Sequence, residues 1–173
     1  MNIPKFLAEI SLRLKDIEKQ EWEADIYNDV RTNALAKNKL RTFRSFKKNY
    51  EFEAYLSQVI NIKHRIALTK LRISDHDLQI ERERYAKPYK PAKERICPIC
   101  FTGVEDETHF ITKCDIYKQL REKVIKDLDL LDPTDKHLFH SIINPNPKNT
   151  KHTRQAAKFV YECIKLRQST LRR

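Results

Sequence analysis

The stretch Cys97-Pro98-Ile99-Cys100, followed after eight residues by His109 and after four more by Cys114, carries the strongest structural signal in this 173-residue chain. Zinc prefers four nitrogen and sulfur ligands in a tetrahedron, and a two-residue spacer lets a tight turn direct two thiolates at one ion. The spacing therefore predicts a site for one structural Zn²⁺ ion, with Cys97, Cys100, His109 and Cys114 as its ligands.

The second ligand pair constrains the local fold. His109 and Cys114 lie five positions apart, which on a continuous α-helix would turn their side chains about 140° away from each other. The helix or turn that carries His109 must therefore end near Lys113 and leave Cys114 at a corner. Gly103 is the only glycine in the chain, and we expect it to adopt a positive φ where the chain reverses between the two pairs.

The predicted site is structural, and the chain is not expected to be an enzyme. Four protein ligands fill the tetrahedron, whereas a catalytic zinc keeps one position for water. Three thiolates and a neutral imidazole leave about one net negative charge on the cluster, and Arg95, Lys113 or Arg121 are candidates to offset it. The competing interpretation is that the cysteines are small buried hydrophobic residues and the histidine a core residue.

Basic residues are distributed unevenly around this cluster. The formal net charge is +11, and residues 148–173 are opposed only by Glu162, whereas residues 97–135 are net acidic. Residues 31–50 contain no acid and seven basic residues: Arg31, Lys37, Lys39, Arg41, Arg44, Lys47 and Lys48. Blocks of positive charge favour a phosphate-rich partner. The charge pattern predicts a nucleic-acid partner, RNA or DNA, bound by the segments around the cluster.

Seven residues are predicted to contact this nucleic acid. Four are basic residues of a predicted amphipathic helix, where they would bind phosphates, and three belong to a proline-containing basic linker, where the tyrosine would stack on an unpaired base. They are Arg41, Arg44, Lys47, Lys48, Lys87, Tyr89 and Lys90. The alternative is that the charges only solvate helix faces, and for Phe43 and Phe46 a core position is the favoured interpretation.

Charged residues make up 34% of the chain, and a single glycine is present, a composition typical of charge-rich helices. Apolar spacing predicts helices over residues 4–30, 35–50, 52–60 and 62–71, around 137–143, and from about 151 into the C-terminus. A further helix follows the cluster, capped by Asp115, with Leu128 and Leu131 on its apolar face. Residues 78–85 fit either a strand or a helix.

The predicted fold is mainly α: a helical bundle with a small Cys3His zinc knuckle inserted before the C-terminal helices. The expected regions are a basic helical region at 1–86, a linker at 87–96, the zinc knuckle and following helix at 97–131, and C-terminal helices with a basic tail at 132–173. Cys163 is predicted to be a buried thiol. We expect an intracellular, nuclear protein with no membrane partner, because no apolar run or signal sequence is present.

Residues from about 40 to 124 resemble the C-terminal zinc-binding region of non-LTR (LINE-type) retrotransposon reverse transcriptase proteins. The resemblance covers about half of the chain and is carried by several short segments together. These are residues 42–47 (TFRSFK), 51–56 (EFEAYL), 71–74 (LRIS), 80–85 (IERERY), 97–100 (CPIC), 105–110 (EDETHF), 114–117 (CDIY) and Arg121. Position 83 is a glutamate where the family often has glycine, which leaves the turn before Tyr85 undetermined.

The resemblance implies that the four zinc ligands of the family correspond to Cys97, Cys100, His109 and Cys114. It also implies a module that holds RNA or DNA near a polymerase. The polymerase and endonuclease activities of the family are not expected here, because the chain has no Tyr-x-Asp-Asp motif and is too short for either domain. The alternative function is a zinc-stapled helical scaffold that binds a polymerase-bearing chain without touching nucleic acid. A zinc nuclease is the weakest interpretation. The sequence does not determine the oligomeric state.

Overall fold

The computed structural model describes residues 3–27 and 40–172. The helices in these ranges are α1 (Ile3–Tyr27), α2 (Arg41–Phe46), α3 (Tyr55–Gln58), α4 (Ile62–Arg72), α5 (Gln79–Arg82), α6 (Lys118–Asp127), α7 (Asp135–Ile143) and α8 (Thr150–Leu171). Within the described ranges the only β pairing is an isolated bridge between Ile96 and Val104. The predicted mainly helical class, with the Cys3His cluster before the C-terminal helices, is confirmed.

The chain forms two compact units, Met1–Phe52 and Glu53–Arg173. The four regions expected from composition are a different division, and they stay a prediction. In the first unit, α1 has one buried residue, Ile26, and the ring of Trp22 contacts the rings of Tyr27 and Tyr50 at centroid distances of 6.2 and 5.7 Å.

The first two predicted helices are only partly confirmed. The helix predicted over 4–30 is present to Tyr27, and Val30 lies outside the described residues. The helix predicted over 35–50 is too long, because α2 ends at Phe46 and the backbone of Lys47 is extended. Residues 35–39 lie outside the described residues. Residues 47–50 form no further helical turn.

The second unit is built around α8. This helix packs most extensively against α4 and also contacts α3, α6 and α7. Its buried face includes Ala156, Ala157 and Val160, whose small side chains allow a neighbouring helix to approach closely. From α4, Leu68 and Leu71 are fully buried. The core of this unit is therefore a set of helices packed on one long central helix.

A buried arginine links three elements of this unit. Arg72, at the end of α4, donates to the backbone oxygen of Ile143 at 2.6 Å, forms an ion pair with Glu53, and lies 4.6 Å from the ring centre of Tyr55. Burial lowers the pKa of the Arg72 guanidinium. Because its donors meet a carbonyl, a carboxylate and an aromatic face, a charge can be kept here at 2% exposure of the residue.

The remaining predictions from periodicity have mixed outcomes. The ambiguous segment 78–85 is helical, with α5 followed by a tight 3₁₀ turn at Glu83–Tyr85. Asp115 does not cap α6, because a separate 3₁₀ turn, Asp115–Tyr117, precedes that helix. Leu128 is buried just after α6, but Leu131 is 92% exposed and lies beyond the helix. None of the helices in the described part of the chain is long and apolar enough to cross a membrane.

Candidate metal centre

The structure brings the four predicted ligands together. The Sγ atoms of Cys97, Cys100 and Cys114 and a ring nitrogen of His109 all lie within 4.8 Å of one another. A tetrahedral zinc site with bonds of about 2.3 Å needs ligand separations of roughly 3.5–3.8 Å, so small side-chain shifts suffice to bind one ion. Cys97, Cys114 and His109 are buried and Cys100 is half-buried. The donor set therefore fits one metal ion held inside the second unit.

A tight turn holds the first ligand pair. The N–H of Phe101 donates to the oxygen of Cys97 at 3.1 Å, and the N–H of Cys97 donates to the oxygen of Gly103 at 2.8 Å. The positive φ predicted for Gly103 is wrong. It occurs at Phe101, with φ of 58°, and the glycine has no positive φ. A side chain in this left-handed region costs about 1 kcal/mol or more, and 75% of Phe101 is exposed.

Gly103 lies against the imidazole instead. A Cβ added at this glycine would meet Nδ1 of His109 at 3.6 Å, an ordinary van der Waals distance. The other ring nitrogen, Nε2, lies 3.2 Å from Sγ of Cys100. The ring therefore presents Nε2 to the sulfurs, which identifies this atom as the metal-binding nitrogen.

A wide turn places the second ligand pair on one side. The N–H of Cys114 donates to the oxygen of His109 at 2.9 Å, a bond that spans five residues instead of the four of an α-helix. The turn ends at Lys113, and the backbone of Cys114 is extended. The predicted end near Lys113 is confirmed. At the start of this turn, the N–H of His109 donates to Oδ1 of Asp106 at 2.7 Å.

The four side chains favour a thiolate at Cys97. A hydrogen bond with Cys114, aided by one with His109, lowers the pKa of Cys97 to about 3 against the opposing effect of burial. The same hydrogen bond, together with burial, raises the pKa of Cys114. The hydrogen bond with Cys97 raises the pKa of His109. Because the thiolate is the form of cysteine that binds metals, these shifts leave Cys97 ready to bind a cation, whereas Cys114 and His109 must give up a proton when an ion binds.

A buried ion pair that the sequence analysis missed ties the cluster to α8. Glu105, 1% exposed and located between the ligand pairs, accepts hydrogen bonds from Nε and Nη2 of Arg167, both at 2.7 Å. It also accepts from the N–H of Gln79 at 2.8 Å and lies 3.9 Å from Sγ of Cys97. The sequence signal for this buried charge is Arg167, which lies four residues after Cys163 on the otherwise apolar face of the last helix.

The three basic residues proposed to offset the cluster charge have different positions. Arg121 donates to the backbone oxygens of Ile111 at 3.3 Å and Cys114 at 3.0 Å, so it supports a ligand through the main chain. Arg95 donates to the oxygen of Ile80 at 2.6 Å, and Lys113 is exposed. The basic residue that pairs with buried Glu105, beside the cluster, is therefore Arg167 and not one of these three.

Of the predicted nucleic-acid contacts, four lie in the first unit. Arg41 and Lys48 are exposed, and Arg44 and Lys47 are half-buried. Nζ of Lys47 donates to the oxygen of Glu51 at 2.8 Å, and Nζ of Lys48 donates to the oxygen of Arg44 at 3.1 Å. Their role in binding stays a prediction.

The three predicted linker contacts lie in the second unit. Lys87 is exposed, and Tyr89 is 61% exposed with the guanidinium carbon of Arg95 6.0 Å from its ring centre. Lys90 forms an ion pair with Glu83 at 2.9 Å. The tyrosine therefore has a free ring face of the kind that base stacking needs, while the charge of Lys90 is partly neutralised.

A basic stripe on α8 was not among the predicted contacts. We call it the α8 stripe. It consists of Lys151, Arg154, Lys158, Lys165 and Arg172. The spacings of three, four, seven and seven residues place these side chains on one helix face, opposite buried Ala156 and Val160. The sequence contained this signal as helical spacing within the C-terminal basic block. Lys158 has an acidic neighbour, because its Nζ lies 3.9 Å from Glu162.

Cys163 takes no part in the cluster. It is fully buried on α8, as predicted, and burial raises the pKa of its thiol.

Comparisons with protein-family models, with curated proteins and with solved structures each gave no match. The case for a function therefore rests on the residues and their geometry.

Proposed function

We propose that this protein is a nucleic-acid-binding module stabilised by one structural zinc ion, and that it has no catalytic activity of its own. The α8 stripe is the observation that carries the proposal. A stripe from Lys151 to Arg172 extends over about 32 Å of helix and carries five positive charges on one side, of which those of Lys151, Arg154, Lys165 and Arg172 belong to exposed residues. Nε of Arg154 also donates to the backbone oxygen of Gln58 at 2.9 Å. Phosphates along a nucleic-acid strand are the chemical complement of such a row of charges.

The metal centre supplies rigidity in this proposal. Three thiolates and an imidazole complete a tetrahedron, so zinc would hold the chain reversal at Cys97–Cys100 against the wide turn at His109–Lys113. Glu105 and Arg167 then connect the reversal to α8. The ion therefore would fix the helix that carries the stripe and would activate no water.

The likeness to the zinc-binding region of LINE-type reverse transcriptase proteins supports the same function. The segments that carry it include Cys97–Cys100 and residues 105–110, which form the metal centre, and residues 80–85, which precede the linker. We propose that the chain derives from such a protein and lacks the polymerase. Nuclear residence would follow from that origin.

A titration with neutralised variants tests the role of the α8 stripe. Fluorescence anisotropy would follow the binding of a single-stranded RNA, a single-stranded DNA and a duplex over a range of salt concentrations. Changing Lys151, Arg154, Lys165 and Arg172 together to glutamine should weaken binding. It should also reduce the magnitude of the negative slope of log K against log salt by about 0.7–0.9 for each lost phosphate contact.

A control variant separates local contacts from total charge. Changing Lys118, Lys123, Lys126 and Lys136 to glutamine removes the same charge from exposed positions on α6 and α7 of the same unit. Equal losses in both variants would contradict a localised site on α8. A third variant reverses Arg41, Arg44, Lys47 and Lys48 and tests the contacts predicted in the first unit.

One observation favours the alternative of a protein-binding scaffold. Helix α1 carries apolar side chains at helical spacing that remain exposed by 39–65%: Ile3, Leu7, Ile10, Leu14 and Ile17. An apolar face of this kind is suited to a partner protein, such as a polymerase-bearing chain. Absence of nucleic-acid binding even at low salt would favour this alternative, whereas salt-sensitive binding near micromolar affinity would favour the module.

A further inference from the structure

A polar groove lies beside the metal centre. Its volume is about 320 Å³, and its wall includes Thr102, Thr108, Asp106 and Lys113 together with the ligand His109. Oγ1 of Thr102 lies 3.1 Å from Sγ of Cys100 and is hydrogen-bonded to it, so the groove offers the hydroxyl of Thr108 and the ammonium group of Lys113. Oδ1 of Asp106 already accepts the N–H of His109, so part of the hydrogen-bonding capacity of that carboxylate is used.

An exposed aromatic residue directly precedes the groove in the chain. Phe101 directly precedes Thr102 in the chain and is 75% exposed. Its backbone has a φ of 58°, a conformation for which glycine is the best residue. Neither burial nor backbone preference accounts for a phenylalanine at this position. A strained residue next to a candidate site points to function outside the fold itself.

We infer that Phe101 and the groove bind one unpaired nucleotide of a single-stranded nucleic acid. The base stacks on the ring of Phe101, because every base presents a π face and stacking tolerates any sequence. The adjoining phosphate approaches Lys113, and the hydroxyl of Thr108 donates to a phosphate or sugar oxygen. This inference rests on the proposed function and names its substrate class.

The preference for a single strand follows from the geometry of stacking. A base in a duplex has both faces covered by its neighbours, so one exposed ring gains little from it. An unpaired base reaches the ring at a lower cost in unstacking, because no base pair must be broken. The α8 stripe binds phosphates of either form, whereas the ring discriminates between the two.

The variant Phe101→Gly tests the inference, because it removes the ring and relieves the backbone strain at the same time. The probes are a labelled 12-nucleotide single-stranded RNA, the matching DNA and a duplex of the same sequence. We expect Kd for the single strands to rise about 5- to 100-fold, with Kd for the duplex unchanged. The denaturant midpoint of the zinc-loaded variant should equal or exceed that of the parent protein.

Three further variants complete the test. Phe52→Ala removes an aromatic side chain of the first unit that is also 75% exposed, and should bind as the parent does. Phe101→Tyr keeps an aromatic face and should retain affinity. Lys113→Gln should reduce the magnitude of the slope of log K against log salt for single strands by about 0.7, the loss expected for one phosphate contact.

The outcomes distinguish this inference from the proposed function. An increase in Kd confined to the single-stranded RNA or DNA supports the inference and identifies the preferred sugar. Unchanged binding in Phe101→Gly overturns it, and equal losses for single strands and duplex also overturn it. Both results leave the proposed function in place when the parent protein binds. If the parent protein binds none of the probes, the proposed function fails and the inference fails with it.

Discussion

Helices α1 and α8 have similar lengths and similar sequence periodicity but opposite degrees of burial. α1 has 25 residues and buries only Ile26, whereas α8 has 22 residues and buries seven. On α8 the buried positions include Ala156, Ala157 and Cys163, whose small side chains let neighbouring helices approach closely. The apolar face of α1 consists of leucine, isoleucine and phenylalanine side chains that stay exposed. Sequence periodicity therefore identifies a helix but does not show which surface covers it.

The polar residues of the two helices sharpen this contrast. α8 has Arg167 on its buried face, and that side chain meets Glu105 in the metal centre. α1 has the exposed ion pair between Lys19 and Glu23, 3.9 Å apart, which contributes little to stability. The position of α8 is therefore fixed by apolar packing and by a specific buried pair, and the metal centre is part of that arrangement.

The largest expected effect comes from removing a metal ligand. Changing Cys97 and Cys100 to serine should abolish binding of one metal ion per chain and the cooperative unfolding of the second unit. Structural zinc contributes on the order of 10 kcal/mol to the folding of small zinc modules. Elemental analysis and a denaturant titration check both effects and identify the metal. Cys163→Ala is the matched control, because this buried cysteine is outside the cluster and the variant should keep its ion.

A pair of identical substitutions tests the difference between the two helices directly. Phe159 on α8 is 3% exposed and Phe6 on α1 is 46% exposed. Phe159→Ala should lower the free energy of unfolding by about 3–5 kcal/mol, whereas Phe6→Ala should change it by no more than about 0.5 kcal/mol. Thermal or urea unfolding of the metal-loaded protein measures both. A large loss for Phe6→Ala would show that α1 is covered by something in solution.

Much of the fold and of the candidate site was predictable from the sequence, for physical reasons. Ligand spacing limits where four donors can converge, so Cys97, Cys100, His109 and Cys114 were identifiable without coordinates. Helical spacing located α4, α7 and α8. Helical spacing indicated a buried arginine at Arg167 but not its partner Glu105, because the two are 62 residues apart and a local pattern carries no information on which helix meets which turn.

Other errors arose where tertiary structure overrides local preference. The positive φ was expected at Gly103, because glycine tolerates it best, but the turn that presents Cys97 and Cys100 requires it at Phe101. The helix expected to reach Tyr50 ends at Phe46, although its apolar spacing continues. In both cases the sequence pattern was real, but it did not locate the residue at which the backbone changes conformation.

The buried pair on α8 is the next test, and a conservative substitution is the most informative one. Arg167→Lys keeps the charge but removes the two-donor fork that binds both oxygens of Glu105. We expect the free energy of unfolding to fall by about 1.5–3 kcal/mol, the contribution of a hydrogen bond to a charged group. Lys165→Arg, on the exposed face, is the control. An unchanged stability in Arg167→Lys would mean that charge alone holds the pair.

The smallest expected effect is at Gly103, where the sign of the change is the result. If this glycine needed a positive φ, Gly103→Ala would lower the free energy of unfolding by about 1 kcal/mol or more. In the structure its φ is not positive, and an added Cβ meets Nδ1 of His109 at 3.6 Å. Alanine then mainly reduces the freedom of the unfolded chain, so stability should stay the same or rise by up to about 1 kcal/mol. A denaturant titration at saturating metal measures this difference, and a loss would place the strain of the chain reversal at Gly103 and not at Phe101.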